Sequence, residues 1–156
     1  VLVEIRSGVL CKVAGLFSRR CFNIDSLAVG ETDSPDTSVM TIVSSGDERT
    51  IEQIEKQLNK KLDVIKVKTF SESQSISREL MLIKIKYNKG NRREILETCD
   101  VMKANIIDMS KNTMMIQICD DPEKVKLFIS MMASVSIVEM ARTGTLALQK
   151  CMEADG

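Results

Sequence analysis

Apolar and polar positions along the first half of the chain follow patterns that predict alternating strands and helices. Strictly alternating apolar residues are typical of half-buried strands, and apolar residues spaced by three or four are typical of amphipathic helices. The predicted elements are a strand at 1–5, a helix from Val9 to Phe17, strands at 22–29 and 39–43, a helix from the N-cap Asp47 to Leu58, and a strand at 62–67.

The second half repeats this order. The acidic and amide residues before two of its apolar stripes are typical helix caps, and a proline suits a first helical position. The predicted elements are a strand at 81–87, a helix that starts with the capping pair Asn91 and Glu94, strands at 106–107 and 114–116, a helix introduced by Asp121-Pro122, and a strand at 135–140.

The two halves are copies of one unit. An offset of 82 residues pairs Gly8 with Gly90 and Asn23 with Asn105, and beyond Gly30 the offset becomes 74. The first copy therefore carries eight extra residues, which fall in the turn-rich stretch 30–38. A repeated unit of this size predicts a small module used twice.

Each copy has the element order β-α-β-β-α-β. This order predicts the α+β class, with two tandem ferredoxin-like modules whose antiparallel sheets carry helices on one face. We predict a first domain at 1–70, a polar linker at 71–78 and a second domain at 79–156. Such modules have free edge strands, which favour assembly into dimers or larger complexes.

Composition narrows the possible functions. The 156 residues hold 22 basic and 22 acidic side chains, so the chain lacks the basic surplus that a nucleic-acid or anionic-membrane binder needs. It contains no histidine, which excludes Ser-His-Asp catalysis and histidine metal ligands. No apolar run reaches the ~20 residues of a membrane span. The five cysteines form no C-x-x-C pair, and we interpret them as reduced thiols.

The segment around Gly8 is the strongest candidate for a binding site. It joins the first strand to the first helix, so the amides of Gly8, Val9 and Leu10 are expected among the unpaired donors that bind carboxylates. Val9 and Leu10 would offer apolar surface, and Asn23 both an acceptor and a donor. This set suits a small amino acid. From the residues alone, a plain turn at Gly8 and a structural Asn23 remain an equal alternative.

The stretch Ser-Gly-Val-Leu-Cys-Lys-Val-Ala-Gly-Leu-Phe-Ser-Arg-Arg-Cys-Phe-Asn-Ile-Asp-Ser-Leu, residues 7–27, closely resembles the opening ACT domain of the acetolactate synthase small subunit family. Further segments continue the match in the same order: residues 40–43, 51–58, 64–67, 78–81, 106–108 and 141–144. The resemblance therefore covers nearly the whole chain.

The resemblance implies a non-catalytic subunit that dimerises through ACT domains, activates a large catalytic subunit and conveys feedback inhibition by valine, leucine or isoleucine. Thiamine diphosphate, Mg²⁺ and FAD would belong to the large subunit, and this chain would hold no cofactor. The implied compartment is a bacterial cytoplasm or a plastid stroma. The family's effector site lies between two ACT domains and maps onto Gly8, Val9 and Leu10 of one copy and Asn23 and Ile24 of the other.

Two residues depart from the family pattern. Ile5 stands where the family usually carries an effector-binding Asn, and Cys21 replaces a helix-ending Gly. A buried polar ligand group left unmatched costs about 1–3 kcal/mol. A constitutive activator with a degraded effector site is therefore one alternative. Two others are an enzyme of the acylphosphatase type, for which Arg6, Arg19, Arg20 and Asn23 are available, and a purely structural interaction module.

Overall fold

The computed structural model of the protein describes residues 1–151. By its contacts the chain forms two compact units, Val1–Ser75 together with the C-terminal segment that begins at Ala147, and Ile76–Leu146. Residues 152–156 of the predicted second domain lie outside the described residues. The domain boundaries given above remain a prediction.

The first unit contains one complete β-α-β-β-α-β module. Its sheet has the strand order β2-β3-β1-β4, and every neighbouring pair is antiparallel. The elements are β1 (Leu2–Glu4), α1 (Val9–Arg19), β2 (Ser26–Glu31), β3 (Thr37–Val43), α2 (Glu48–Asn59) and β4 (Val64–Lys66). Strand β2 therefore lies at one edge of this sheet.

The second unit repeats the module with the order β6-β7-β5-β8, again antiparallel throughout. Its elements are β5 (Ser75–Lys86), α3 (Arg92–Met102), β6 (Asn105–Met109), β7 (Thr113–Asp120), α4 (Pro122–Met131) and β8 (Ile137–Arg142). The predicted fold class, two ferredoxin-like modules in tandem, is confirmed.

Each module has its own hydrophobic core, built from one face of its sheet and the helices that cover it. Burying these side chains is the main favourable term in folding. The first core contains Val3, Val9, Val13, Leu16, Phe17, Met40, Ile54 and Leu58. The second contains Met81, Ile83, Ile85, Ile95, Cys99, Met114, Ile116, Ile118, Val125, Phe128 and Met132.

Two predicted helix caps are confirmed, and the third is confirmed in its position but not in its hydrogen bond. The Asp47 side chain accepts from the Thr50 N–H and the Asp121 side chain from the Lys124 N–H, so both cap their helices. Asn91 occupies the predicted N-cap position of α3, but its side chain makes no capping hydrogen bond to the helix. Its Oδ1 accepts from the Asn88 N–H at 2.8 Å instead, because the turn before α3 folds back on Asn88.

Several strand boundaries differ from the prediction. β2 begins at Ser26 rather than at residue 22, since Phe22 turns back onto Phe17 with ring centroids 6.2 Å apart. Within residues 71–78, predicted as a linker, Glu72–Gln74 form a 3-10 turn and β5 begins at Ser75. A last strand, β9 (Leu146–Gln149), is absent from the prediction.

Candidate functional site

The turn before α1 depends on Gly8. This residue is the N-cap of α1 with φ 82° and ψ 3°, a left-handed conformation that residues with a Cβ adopt at a cost. A Cβ built on Gly8 would meet no heavy atom within 4 Å. The glycine is therefore required by the backbone angle, and the space in front of it is open to a ligand.

The amide groups of this turn, which we call the Gly8 cradle (residues 8–11), are largely unpaired. The Val9 N–H donates to the Arg6 carbonyl at 3.3 Å, and the Lys12 N–H is the first to donate within the helix, to the Gly8 carbonyl at 2.9 Å. Among residues 1–151, the N–H groups of Gly8, Leu10 and Cys11 have no acceptor. Unpaired donors at the positive end of a helix favour an anion.

The side chains beside the cradle divide into buried and exposed. Val9 is only 5% exposed and packs in the core, so the expectation that its side chain lines an apolar pocket is wrong. Its N–H is also unavailable to a ligand, because it donates to the Arg6 carbonyl. Leu10 and Ile5 are each 45% exposed. The Ile5 N–H donates to the Asp36 carbonyl at 2.8 Å, so it is not available to a ligand, and the side chain of Ile5 offers apolar contact alone.

A buried carboxylate links both flanks of the cradle. Asp63, in the loop before β4, accepts from Lys12 Nζ at 2.8 Å and lies 3.9 Å from Arg6 Nε. The hydrogen bond from Lys12, together with the positive charges of Lys12 and Arg6, holds the pKa of Asp63 below its ordinary value although burial opposes this. No sequence pattern pointed to Asp63, because its partners are distant along the chain.

Asn23 and Ile24 lie beyond the other end of α1. The helix ends with Cys21 at φ 55°, and the Phe22 N–H donates to the Phe17 carbonyl at 2.9 Å, which closes the last turn. Ile24 is half-buried against the first core, whereas Asn23 is exposed. Sequence analysis therefore identified one side chain here, that of Asn23, which is available to a ligand.

The cradle and Asn23 lie at opposite ends of one helix. The eleven residues of α1 rise about 16 Å at 1.5 Å per residue. A free amino acid is much shorter than this distance. Within one chain, Gly8 and Asn23 therefore do not meet around one small ligand.

The second module has no equivalent cradle. Asn88 Oδ1 accepts from the N–H groups of Gly90 at 2.8 Å and Asn91 at 3.1 Å, so the amides of this turn are already engaged. A Cβ on Gly90 would lie 3.2 Å from the same oxygen. The two related turns thus differ in the feature that would bind an anion.

The described residues also bear on cofactors and membranes. Among residues 1–151, no three Cys, Asp or Glu side chains are grouped so that they could hold a metal ion. In the same part of the chain, no helix is both long and apolar enough to cross a bilayer.

A shallow groove at the ends of α1 and α2 is lined by polar and basic side chains: Arg20, Gln53, Lys56, Gln57, Asn59 and Lys60.

Sequence profiles of two families match the chain. The profile described as "AHAS small subunit-like ACT domain" matches residues 1–66, and the profile described as "Small subunit of acetolactate synthase" matches residues 78–151. Together the two matches cover both modules.

Individual relatives agree with the profiles. The chain is 47% identical over 148 residues to a probable acetolactate synthase small subunit of Archaeoglobus fulgidus, covering 95% of this chain and 92% of that protein. It is 42% identical over 150 residues to the acetolactate synthase small subunit of Mycobacterium bovis, covering 96% and 89%.

A solved structure agrees as well. The crystal structure of the acetolactate synthase small subunit from Thermotoga maritima superimposes with a TM-score of 0.90 at 38% identity, covering 97% of this chain and 94% of that one. The acylphosphatase-type interpretation is therefore wrong, because these matches are to regulatory small subunits of acetolactate synthase and not to an enzyme of that type. The chain belongs to the acetolactate synthase small subunit family, a family of regulatory subunits, and both the catalysis and its cofactors lie in the large subunit.

Proposed function

We propose that this chain activates an acetolactate synthase large subunit and conveys feedback inhibition by a branched-chain amino acid, with valine as the first candidate. The effector binds between the ACT modules of two copies. Its carboxylate lies on the Gly8 cradle of one copy, and its remaining groups contact Asn23 and Ile24 of the other.

The observation that carries this proposal is the set of unpaired amides at residues 8, 10 and 11 beside the exposed side chain of Leu10. Residues 8, 10 and 11 are exposed, so water meets these N–H groups in the free chain, and the carboxylate of a ligand can replace that water at the helix start. An α-carboxylate supplies the acceptors, and an aliphatic side chain can cover Leu10 and Ile5. A branched-chain amino acid has both parts.

The separation of Gly8 and Asn23 along α1 is the reason for placing two copies at one site. Each copy brings one half, and the two-fold symmetry usual in dimers would generate two equivalent sites. Strand β2 begins at Ser26, three residues after Asn23, and lies at a sheet edge, where its outer backbone groups can pair with a second copy. Binding of the effector would thus be coupled to the association of the two ACT modules.

Regulation requires the effector to bind one arrangement of the modules more tightly than another. A coupling free energy of about 1–3 kcal/mol is typical of such linkage and corresponds to a 5- to 150-fold change in affinity. The large subunit, which binds thiamine diphosphate, Mg²⁺ and FAD in our proposal, would sense that arrangement. The curated relatives above come from an archaeon and a bacterium, which favours the cytoplasm over a plastid stroma.

A constitutive activator is the second candidate, and Ile5 is the observation that favours it. Its side chain cannot donate or accept a hydrogen bond, and its N–H is already engaged by the Asp36 carbonyl. If the missing polar contact lowers the affinity so far that the effector does not fill the site at its cellular concentration, activation of the large subunit would persist without inhibition.

Reconstitution with an acetolactate synthase large subunit tests the proposal. We expect this chain to raise the synthase activity and one of valine, leucine or isoleucine to lower it. Leu10→Asp should keep activation and abolish inhibition, because an added carboxylate repels the effector while an acidic first turn suits the helix dipole, and α1 has no acidic residue there. Arg92→Asp, at the equivalent position of α3, is the matched control and should keep both effects.

The outcomes separate the two candidates. Activation without inhibition by any of the three amino acids would favour the constitutive activator. No activation of the large subunit would contradict both.

A further inference from the structure

Asp25, two residues after Asn23, holds the loop that leads into β2. Its Oδ1 accepts a hydrogen bond from Asn23 Nδ2, and its Oδ2 accepts one from Ser45 Oγ. Its own N–H donates to the Val43 carbonyl at 2.8 Å, which ties the loop to β3. Ser44 Oγ donates to the Asn23 carbonyl at 2.6 Å. Asn23 is therefore held at both its main chain and its side chain.

The contact with Asp25 decides which end of the Asn23 amide faces a ligand. An ionised carboxylate only accepts hydrogen bonds, so the group that faces it must be the NH₂ of Asn23. The oxygen Oδ1 then lies on the other side of the amide, and it accepts no hydrogen bond from residues 1–151. At this position the chain offers an acceptor rather than a donor.

We propose that Asp25 is a positioning residue that fixes the Asn23 amide so that Oδ1 receives the ammonium group of the effector. This inference rests on the function proposed above. It assigns the direction of the bound amino acid: the carboxylate on the Gly8 cradle of one copy and the ammonium on Asn23 of the other. The negative charge of Asp25 behind the amide favours a cation at Oδ1 further.

Without the hydrogen bond to Asp25, the Asn23 amide would no longer favour the orientation in which Oδ1 faces the ligand. Without Asp25, Asn23 can present its NH₂ group to the ammonium, and two donors then face each other. Hydrogen bonds to charged groups contribute about 1.5–3 kcal/mol, which corresponds to roughly 10- to 150-fold in affinity. An effect near the lower end is expected, because the amide can still rotate into the productive orientation.

A double-mutant cycle on the full chain tests the inference. Wild type, Asp25→Ala, Asn23→Ala and the double variant are titrated calorimetrically with L-valine, L-leucine and L-isoleucine. We expect Asp25→Ala to weaken the tightest of these roughly tenfold, and the double variant to be no weaker than Asn23→Ala, since Asp25 acts through Asn23.

Two controls separate positioning from general damage. Asp25→Asn should weaken binding less than Asp25→Ala, because its side-chain oxygen can still accept from Asn23 Nδ2 although the negative charge is lost. Asp108→Ala, which removes an exposed carboxylate from β6 of the other module, should leave binding unchanged.

Each remaining outcome refutes a stated part of the account. Unchanged binding by Asp25→Ala, or further weakening by Asp25→Ala in the Asn23→Ala background, would overturn the positioning role alone. Unchanged binding by Asn23→Ala would overturn the positioning role and would also remove Asn23 from the proposed effector site. A wild-type chain that binds none of the three amino acids would overturn the proposed function itself.

Discussion

Cys21 and Lys103 adopt the same left-handed conformation at the ends of α1 and α3, with φ 55° and φ 54°. In both modules the next residue donates its N–H to a carbonyl five positions earlier, Phe22 to Phe17 at 2.9 Å and Ala104 to Cys99 at 2.8 Å. The two copies thus end their first helix with the same hydrogen-bonded turn. Neither has the glycine that this turn favours.

Cys21→Gly and Lys103→Gly should each stabilise the protein. An L-residue in the left-handed region costs roughly 1–2 kcal/mol that glycine avoids, and the larger backbone entropy of glycine in the unfolded chain offsets part of this gain. We expect the free energy of unfolding to rise by about 1 kcal/mol for each variant, measured by urea denaturation with unchanged slope.

Gly15→Ala and Cys21→Ala serve as comparison variants for Cys21→Gly in the same denaturation experiment. Gly15 lies inside α1 with open space around its Cβ position, so alanine there should also stabilise. Cys21→Ala keeps the strained angle and should give no gain. A gain from Cys21→Ala equal to that from Cys21→Gly would show that the thiol, and not the backbone angle, is costly.

Asp63→Asn should destabilise the first module near neutral pH. The Asp63 side chain is 8% exposed and interacts with both Lys12 and Arg6. Because its pKa is lowered in the folded state, its stabilising contribution is present above the ordinary Asp value of 3.8 and disappears as the pH falls through the lowered folded pKa. The stability difference between wild type and variant should therefore be largest near pH 7 and should shrink in acid.

Thermal melts between pH 7 and pH 3 measure this difference. Asp33→Asn, in the exposed hairpin between β2 and β3, serves as the control and should follow wild type throughout. A gap between wild type and Asp63→Asn that stays constant into acid would mean that packing, and not charge, is responsible.

Glu79→Gln should destabilise the second module. Glu79 is 3% exposed and accepts from Arg142 Nε and, at 3.1 Å, from a second guanidinium nitrogen of Arg142. The Glu79 carboxylate is buried although the Arg142 side chain is 37% exposed, and losing the charge of a buried hydrogen-bonded carboxylate costs about 1–3 kcal/mol. Glu139→Gln removes the partner of Lys84 from a pair whose carboxylate is 72% exposed, and it should have little effect in the same denaturation experiment.

The cysteines should differ sharply in reactivity. Burial, with a smaller contribution from the nearby charge of Asp100, raises the pKa of the Cys99 thiol to about 11, so Cys99 should resist alkylation in the native protein at pH 8. Cys11, Cys21 and Cys119 are exposed and should react. Peptide mapping at successive times of iodoacetamide treatment gives the alkylation rate of each cysteine.

The same labelling reports on the effector site. Cys11 lies in the Gly8 cradle, and Cys21 lies next to Phe22 and close to Asn23. A bound effector should therefore slow the alkylation of both thiols, whereas Cys119 on β7 should react at an unchanged rate. Equal protection of all three would indicate global stabilisation instead of a local site.

Local signals in the sequence predict most of the fold. The caps at Asp47 and Asp121 depend on a side chain and an amide three residues apart, and the chain order alone specifies them. Asn91 makes no capping hydrogen bond because Asn88, which no capping pattern includes, engages the same turn. The late start of β2 and the existence of β9 depend on contacts between distant residues, such as the Lys150 N–H with the Gln74 carbonyl at 2.9 Å.

The candidate site follows the same division. Gly8 and Asn23 could be identified because a glycine turn and an amide side chain have recognisable chemistry at those positions. Asp63 and Ser45 could not, because their partners are reached only through the fold: Asp63 meets Lys12 across 51 residues, and Ser45 meets Asp25 across 20. The left-handed angle at Cys21 likewise becomes visible only in the structure.

Subunit complementation tests the shared effector site most directly. Leu10→Asp removes the cradle half of a site and Asn23→Ala the amide half, so neither variant alone should bind the effector tightly. Refolding the two together should create mixed dimers that each contain one intact site, and calorimetry should recover roughly a quarter of the wild-type binding capacity at wild-type affinity. A mixture that binds no better than the separate variants would contradict a site built from two copies of the chain.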